Sequence, residues 1–286
     1  MKKFGLVLFG SAALLGVSLT LTSCNDSNTI KVCASTSPHA EVLNGVVKDI
    51  LKEKGYTLKV DELTWTLQND AVANKDYDAN YFQHIPYLSA YEGKTQLVAT
   101  AKVHYEPLGI YSNTKLSLRE GKYEICNDES NAVRALQLLE AKNIISREKE
   151  GTNFPYNDEG KLTFTSEEWT SISGKVKVTL IEESLLASSL NDYDYGCLPC
   201  NTAYTGNISS SKRVAYEDDP KQVSEKANVL AVRKDDYLSD STYKAKIDVL
   251  TDALLSKEVS EFFKTTYLGA MTCDSTSQID LRSLIK

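Results

Sequence analysis

The feature that most constrains the fold of this chain is a strand–helix–strand order that occurs twice. Residues 29–35 are apolar enough for a short buried strand, residues 42–51 repeat valine, isoleucine and leucine at helical spacing, and Gly55 ends that helix. Residues 56–63 then alternate as a second strand. Because a helix between two strands returns the chain to the same edge of a sheet, the order predicts a parallel sheet and an α/β protein.

A second run of the same kind begins after Lys122. Residues 124–126 are predicted to end a strand, residues 132–142 to form a strong helix, and residues 175–181 to form a β-branched strand. An Asp-Tyr-Asp motif occurs at a helix-to-strand junction in each run, at 76–78 and at 192–194. The repetition predicts two similar α/β lobes with a ligand between them, near the carboxyl ends of their strands.

The first residues predict export and lipidation. Lys2 and Lys3 precede an apolar stretch, which ends in a Leu-Thr-Ser-Cys motif at Cys24 that resembles the bacterial lipobox. We expect a signal peptide over 1–23, a lipid on Cys24 and a tether over 24–29, which together hold the protein on the extracytoplasmic face of a cell membrane. An uncleaved anchor is the alternative, since about 18 apolar residues just span a bilayer.

Charge and motifs exclude several classes of protein. The formal net charge is −7, which argues against a nucleic-acid partner. The sequence has no nucleophile elbow, phosphate-binding glycine loop or metalloprotease motif, so we expect no enzyme and no cofactor. The three histidines are scattered without the spacing of metal ligands, so we expect no metal site. We expect a monomer.

The cysteines leave a second class of function open. With Cys24 lipidated, an odd number of thiols remains, so at least one is expected to be unpaired; they are Cys33, Cys126, Cys197, Cys200 and Cys273. Cys197 and Cys200 have the Cys-x-x-Cys spacing of thiol-redox proteins. A thiol-redox lipoprotein that uses this pair is therefore the alternative from a different class, and the pairing of the cysteines stays open.

Two clusters of residues are candidates for a ligand site. Phe82, His84 and Tyr87 lie in a short aromatic segment just before a predicted helix start. Asn131 and Arg134 are three residues apart at the start of another helix, so they project on one side of it. An arginine fork can hold a carboxylate by two parallel hydrogen bonds. The alternatives are an aromatic core cluster and a capped helix with a solvent-facing arginine.

Three blocks of sequence, in order along the chain, resemble the MetQ/NlpA family of methionine-binding lipoproteins. They are DANYFQHIPYL at 78–88, KVHYEPLGIYS at 102–112 and NDESNAVRAL at 127–136. Residues 37–41 and 264–270 agree with the family as well, so the similarity covers the mature chain.

The resemblance implies a two-lobed periplasmic-binding-protein-like fold of type II, with a ligand cleft between the lobes. Lobe I would comprise residues 30–112 and 228–286, and lobe II residues 113–227. The implied function is that of a substrate-binding protein, which delivers methionine to the permease and ATPase complex of an ABC importer.

The resemblance also assigns roles by position. Arg134 would pair with the ligand carboxylate, and the amino-acid head group would bond to Asn131, Asn201 and Asn228. The methionine side chain would be walled by Phe82, His84, Tyr87 and Tyr105, with Trp65 in place of a tyrosine that closes the pocket. Pro199 and Cys200 stand where the family has a glycine-containing turn before the binding asparagine. Because of this departure, another apolar amino acid or a methionyl dipeptide remains an alternative ligand.

Overall fold

The computed structural model describes residues 28–219, 225–267 and 270–286. The predicted signal peptide over 1–23, the lipidation site Cys24 and the tether as far as residue 27 lie outside these residues. Within the described parts of the chain, no helix combines the length and the apolar character needed to cross a membrane.

In the parts of the chain that the structure describes, twelve strands form two six-stranded sheets. The first sheet contains β1 Thr29–Ala34, β2 Thr57–Glu62, β3 Ala79–His84, β4 Leu97–His104, β11 Asn228–Arg233 and β12 Ile279–Asp280, in the order β12-β4-β11-β3-β1-β2. The second sheet contains β5 Leu108–Tyr111, β6 Lys122–Cys126, β7 Glu168–Thr170, β8 Lys177–Ile181, β9 Tyr195–Pro199 and β10 Arg213–Tyr216, in the order β10-β5-β9-β6-β8-β7.

Helices connect and cover both sheets. The α-helices are α1 Lys48–Glu53, α2 Trp65–Ala73, α3 Ile85–Ser89, α4 Glu129–Ala141, α5 Arg147–Glu150, α6 Glu183–Ser189, α7 Cys200–Thr205, α8 Lys234–Ser239, α9 Ser241–Leu254 and α10 Lys257–Thr266. Two short segments of helical turns, Thr36–Ala40 and Leu43–Val47, are interrupted by non-helical backbone at Ser37 and Gly45 and lead into α1. Short 3₁₀ turns lie at Gly151–Asn153, Leu190–Asp192, Ser210–Lys212 and Arg282–Leu284.

The two lobes, each a sheet with its helices, follow the same plan. In the first lobe β1 pairs in parallel with β2 and β3, and β11 pairs antiparallel to β3 and β4. In the second lobe β6 pairs in parallel with β8 and β9, and β5 pairs antiparallel to β9. The two largest buried clusters lie one in each lobe, and the prediction of a two-lobed α/β fold is confirmed.

The repeated Asp-Tyr-Asp motif has the same role in each lobe. The carboxylate of Asp78 accepts a hydrogen bond from the backbone N–H of Lys31 in β1, at 2.8 Å. The carboxylate of Asp194 accepts one from the backbone N–H of Lys122 in β6, at 3.0 Å. In both lobes an aspartate just before a strand (β3 or β9) therefore satisfies an amide of the strand that pairs with it in parallel (β1 or β6), which explains the repeat.

One predicted lobe boundary is wrong. Residues 30–112 were assigned to lobe I, whereas β5 pairs with β9 and β10 in the second sheet. The first crossing between the sheets therefore lies between His104 and Leu108. The local sequence of a four-residue strand does not indicate to which sheet it belongs when its partner strands come much later in the chain. The chain returns between Tyr216 and Asn228, and the division into independent domains otherwise stays a prediction.

Candidate functional site

The carboxyl ends of the parallel strands of both lobes face one cavity, which we call the interlobe cavity. It is lined by Ser35, Trp65, Phe82, Gln83, His84, Tyr87, Glu106, Asn131, Arg134, Glu183, Pro199, Asn201 and Asn228. The residues predicted from the sequence all line it except Tyr105. The placement agrees with the rule that open α/β sheets bind ligands beyond the carboxyl ends of their strands.

Aromatic rings of the first lobe form one wall of the cavity. Tyr87 packs edge-to-face against Trp65 and Phe82, with ring centroids 5.5 Å and 5.7 Å apart. Pro86 lies in the first turn of α3, where its fixed φ suits a helix start, and this turn presents Tyr87 to the cavity. The wall is apolar and polarisable, which suits an apolar or sulfur-containing side chain.

His84 joins the two lobes across the cavity. Its Nδ1 accepts the backbone N–H of Tyr87 at 3.1 Å, and its Nε2 lies 2.9 Å from Oδ1 of Asn131 in α4. Burial, with the charge of Arg134 nearby, lowers the pKa of His84 to about 4, so the ring is neutral. Since Nδ1 accepts, the proton is on Nε2, and the imidazole donates to Asn131.

Asn131 was predicted to bond the head group of the ligand, and its amide already has partners in the protein. Its Oδ1 receives the hydrogen bond from His84, and its Nδ2 donates to the carboxylate of Asp128 at 2.8 Å. Asp128 also caps α4 by accepting the backbone N–H of Asn131. Asn131 therefore connects the helix start of the second lobe to β3 of the first.

Arg134 is held by a carboxylate that the sequence analysis missed. Arg134 is 4 % exposed, and its Nε and Nη2 donate to Glu217 at 2.9 Å and 2.5 Å. Nη2 also donates to the backbone carbonyl of Glu106 at 2.7 Å. Tyr105, absent from the cavity lining, donates its hydroxyl to Glu217 at 2.7 Å, and the guanidinium lies 5.9 Å from its ring centroid.

Glu217 ties both crossings between the lobes to this arginine. It accepts the backbone N–H of Leu108 on the first crossing and the ammonium of Lys226 on the second, at 2.9 Å and 2.7 Å. Burial alone would raise the pKa of Glu217, but Arg134 and Lys226 hold it well below its usual range. The carboxylate is therefore charged, and it fixes Arg134 where the chain passes between the lobes.

Two histidines meet at Glu106, an acid that lines the cavity. Nε2 of His104 lies 2.9 Å from Oε1 of Glu106, and Nε2 of His39 lies 3.8 Å from the same atom. Nε2 of His39 is also 3.1 Å from Oδ1 of Asn228, and Nδ1 of His104 is 2.5 Å from the hydroxyl of Tyr81. The expectation that the histidines are scattered is wrong for this pair, because distant segments of the first lobe bring them together.

This cluster is organised as a hydrogen-bonded network. The possible ligand atoms of His39, His104 and Glu106 lie within 4.8 Å of one another. Burial lowers the pKa of His39 to about 4 and that of His104 to about 3, so both rings are neutral. Both nitrogens of His104 already have protein partners, which leaves that ring no lone pair to offer a metal. Burial raises the pKa of Glu106 to about 7, although His39 and Arg134 oppose the shift.

The second lobe adds one unpaired polar atom and one acid to the cavity. Oδ1 of Asn201, at the start of α7, is buried without a hydrogen-bond partner among the described residues. Glu183, the first residue of α6, accepts the hydroxyl of Thr202 at 2.9 Å. An unsatisfied buried carbonyl oxygen is costly, which marks Asn201 as a place for a ligand donor.

Comparison with known proteins identifies the family. The family model described as NlpA lipoprotein matches residues 30–273. The chain belongs to the NlpA lipoprotein family. The methionine-binding lipoprotein MetQ of Bacillus subtilis is 31% identical over 280 residues, which covers 92% of this chain and 97% of MetQ. The resemblance stated from the sequence is therefore confirmed.

Two solved structures have a similar fold. A lipoprotein from Ruminococcus gnavus is similar with a TM-score of 0.72 and 34% identity, over 87% of this chain and 100% of that chain. A nutrient-binding protein from Burkholderia cenocepacia, solved bound to methionine, has a TM-score of 0.70 and 28% identity, over 86% and 99% of the two chains.

Proposed function

We propose that this NlpA-family protein is the substrate-binding lipoprotein of an ABC importer and that it holds methionine in the interlobe cavity. The observation that carries the proposal is the pairing of a buried arginine with an aromatic wall in one cavity between two lobes. Relatives whose names state methionine binding, and a similar structure solved with methionine, support the choice of ligand.

In this proposal the head group of the amino acid binds at the Arg134 end of the cavity. Arg134 presents five N–H donors, and its hydrogen bonds to Glu217 and to the carbonyl of Glu106 use only some of them, so the guanidinium can still donate to the ligand carboxylate. The ligand ammonium then bonds to Oδ1 of Asn201 and to the carboxylate of Glu106. Asn228, which His39 orients, is a further partner of the head group.

The side chain of the ligand lies against Trp65, Phe82 and Tyr87. Each contact between a thioether sulfur and an aromatic ring is worth about 0.3–1.5 kcal/mol. These rings belong to the first lobe, while Arg134 and Asn201 belong to the second. A bound ligand therefore contacts both lobes at once, and its binding favours the closed arrangement that His84 and Asn131 stabilise.

Delivery in this proposal needs no bond-making step. The closed protein docks on the permease of the importer, whose ATPase drives transfer of the ligand, and it acts as a monomer and not as an enzyme. A lipid on Cys24 keeps the protein on the extracytoplasmic face of the membrane, close to the permease. The relatives support this role, since a similar structure from Coxiella burnetii is described as a periplasmic substrate-binding protein of an ABC transporter.

The test is calorimetry on protein freed of any ligand that co-purifies. We expect L-methionine to bind at micromolar affinity or better, because the head group gains charge-assisted bonds in a buried site. Mass spectrometry of the ligand released on denaturation is the companion measurement. Heat with another apolar amino acid or a methionyl dipeptide, and none with methionine, would reject the ligand while sparing the transport role.

The thiol-redox alternative predicts reactive cysteines, and the geometry favours inert ones. All five cysteines in the described chain are free and buried. Burial raises the pKa of the Cys197 and Cys200 thiols, so little of the reactive thiolate forms. We expect a soluble form without residues 1–24 to show five thiols to a disulfide reagent after unfolding and almost none before. Fast reaction of the native protein, or reduction of insulin by it, would favour the redox class instead.

A further inference from the structure

Glu183 lines the interlobe cavity and has no part in the binding scheme above. It is the first residue of α6, in the second lobe, and it lies two residues after the end of β8. Its Oε1 accepts the hydroxyl of Thr202 at 2.9 Å, whereas no group of the described residues donates to its Oε2. One oxygen of this carboxylate is therefore available to a ligand in the cavity.

Two backbone contacts place the start of α7 beside the arginine end of the cavity. Nη2 of Arg134 donates to the backbone carbonyl of Glu106 at 2.7 Å. The carbonyl of the next residue, Pro107, accepts the backbone N–H of Cys200, the first residue of α7, at 3.1 Å. The segment that Arg134 binds is thus also the segment on which α7 begins.

The next two residues of α7 connect this end of the cavity to Glu183. Asn201 lines the cavity with an Oδ1 that is buried without a partner among the described residues, and Thr202 donates to Glu183. The Cα atoms of neighbouring residues are only about 3.8 Å apart. The carboxylate of Glu183 is therefore anchored next to Asn201, a proposed partner of the ligand head group.

The ammonium group of an amino acid needs more than one acceptor in such a site. It has three N–H donors, and a buried cation is costly unless it is paired with an anion. Oδ1 of Asn201 supplies one acceptor without charge. Glu106 can supply a second, although its Oε1 already lies 2.9 Å from Nε2 of His104. A third acceptor, carrying charge and not shared with a histidine, is available at Oε2 of Glu183.

We propose that Glu183 is the acid by which the second lobe binds the ammonium group of the ligand, together with Oδ1 of Asn201. Glu183 then determines specificity for a free α-ammonium group, and ligands that lack this group or carry an acyl group on it are excluded. The inference rests on the proposed function, since it needs the carboxylate of the ligand to be held at Arg134.

The test compares wild-type protein with Glu183→Gln, which removes the charge but keeps an oxygen that can accept the hydroxyl of Thr202. Because burial raises the pKa of Glu183 to about 7, calorimetry is done at pH 8, where the acid is mostly ionised. We expect the Kd for L-methionine to rise roughly 10- to 100-fold, as for a lost charge-assisted hydrogen bond.

A second ligand assigns this loss to the ammonium group. Desaminomethionine has a hydrogen atom in place of the ammonium and is otherwise identical to methionine. We expect Glu183→Gln to bind it at least as tightly as the wild type does, because this ligand has no cation to lose and its carboxylate no longer shares the cavity with a second charged acid. A merely structural role of Glu183 would weaken both ligands by the same factor.

Matched variants complete the comparison. Glu182→Gln, at the exposed neighbouring position, should leave the Kd for methionine unchanged. Thr202→Val removes the hydrogen bond to Glu183 but keeps its charge, so it should weaken methionine less than Glu183→Gln does. Circular dichroism checks that each variant folds. Should Glu183→Gln fail to fold, Glu183→Asp moves the charge back by one methylene and should weaken methionine but not desaminomethionine.

The outcomes separate this inference from the proposed function. Unchanged methionine binding in Glu183→Gln, or equal losses for both ligands, overturns the role of Glu183 and leaves the proposed function intact. If desaminomethionine binds neither protein, Thr202→Val decides: a loss of methionine affinity as large as that of Glu183→Gln overturns the inference, and a clearly smaller one supports it. Failure of the wild type to bind methionine contradicts the proposed function itself.

Discussion

Replacing Arg134 with alanine is expected to weaken methionine binding by at least about 2–3 kcal/mol, or roughly 30- to 150-fold in Kd. The guanidinium is nearly fully buried, so no water replaces its bonds to the ligand carboxylate. A carboxylate bound without this partner would stay buried and unpaired beside Glu217, which is itself a carboxylate. The measurement is calorimetric titration of ligand-free protein near pH 7.

Two controls make the result specific. Arg134→Lys keeps the charge but not the planar fork, so its affinity should lie between those of the wild type and the alanine variant. Arg147→Ala removes an exposed arginine that does not line the cavity and should leave Kd unchanged. If Arg134→Ala binds methionine as the wild type does, Arg134 is not part of the ligand site.

Replacing Glu217 with alanine is expected to lower the free energy of unfolding by about 3–5 kcal/mol, because it leaves two buried cations without their shared partner. Denaturant unfolding in urea measures the change. The matched control is Asp218→Ala, the neighbouring acid, whose exposed pair with Lys142 should be worth less than about 1 kcal/mol. Equal losses of unfolding free energy in the two variants would contradict the role of Glu217 in holding together the two segments that pass between the lobes.

The contribution of Glu217 to the free energy of unfolding falls as the pH is lowered. The pKa of Glu217 is lower in the folded protein than in the unfolded chain, so its stabilisation is complete above the ordinary carboxyl range. It is lost as the pH falls below about 4, when the unfolded chain takes up the proton first. A double variant that replaces both Arg134 and Glu217 by apolar residues should lose less than the two single losses combined.

Local patterns predicted those helices and strands whose periodicity is visible within a few residues. The valines of 42–51 and the alternation of 56–63 reflect the periods of a helix and a strand, and the structure has both there. β5 was assigned to the wrong sheet because its place depends on pairing with β9, which no local pattern encodes. Propensity therefore identified elements, while the register between distant strands had to come from the structure.

The residues of the candidate site also fall into two groups: those that a local sequence pattern indicates and those that only the folded structure brings together. Arg134 and Phe82 were singled out because their own neighbours signal a helix start and an aromatic segment. Glu217 was missed, since its function comes from four partners spread between Tyr105 and Lys226. Glu183 gave no signal either, because an acid in the first turn of a helix is ordinary. What made it a candidate is the cavity that it faces.

Trp65 gives the protein an optical probe at the place where the ligand side chain is proposed to lie. The sequence contains two tryptophans, and the other, Trp169, is buried in the second lobe with its indole N–H bonded to the carbonyl of Asn153 at 2.7 Å. Quenching or a spectral shift from Trp65 therefore follows occupancy of the cavity, while Trp169 supplies a constant background until the second lobe unfolds. One unlabelled sample can in this way separate ligand exchange from loss of structure.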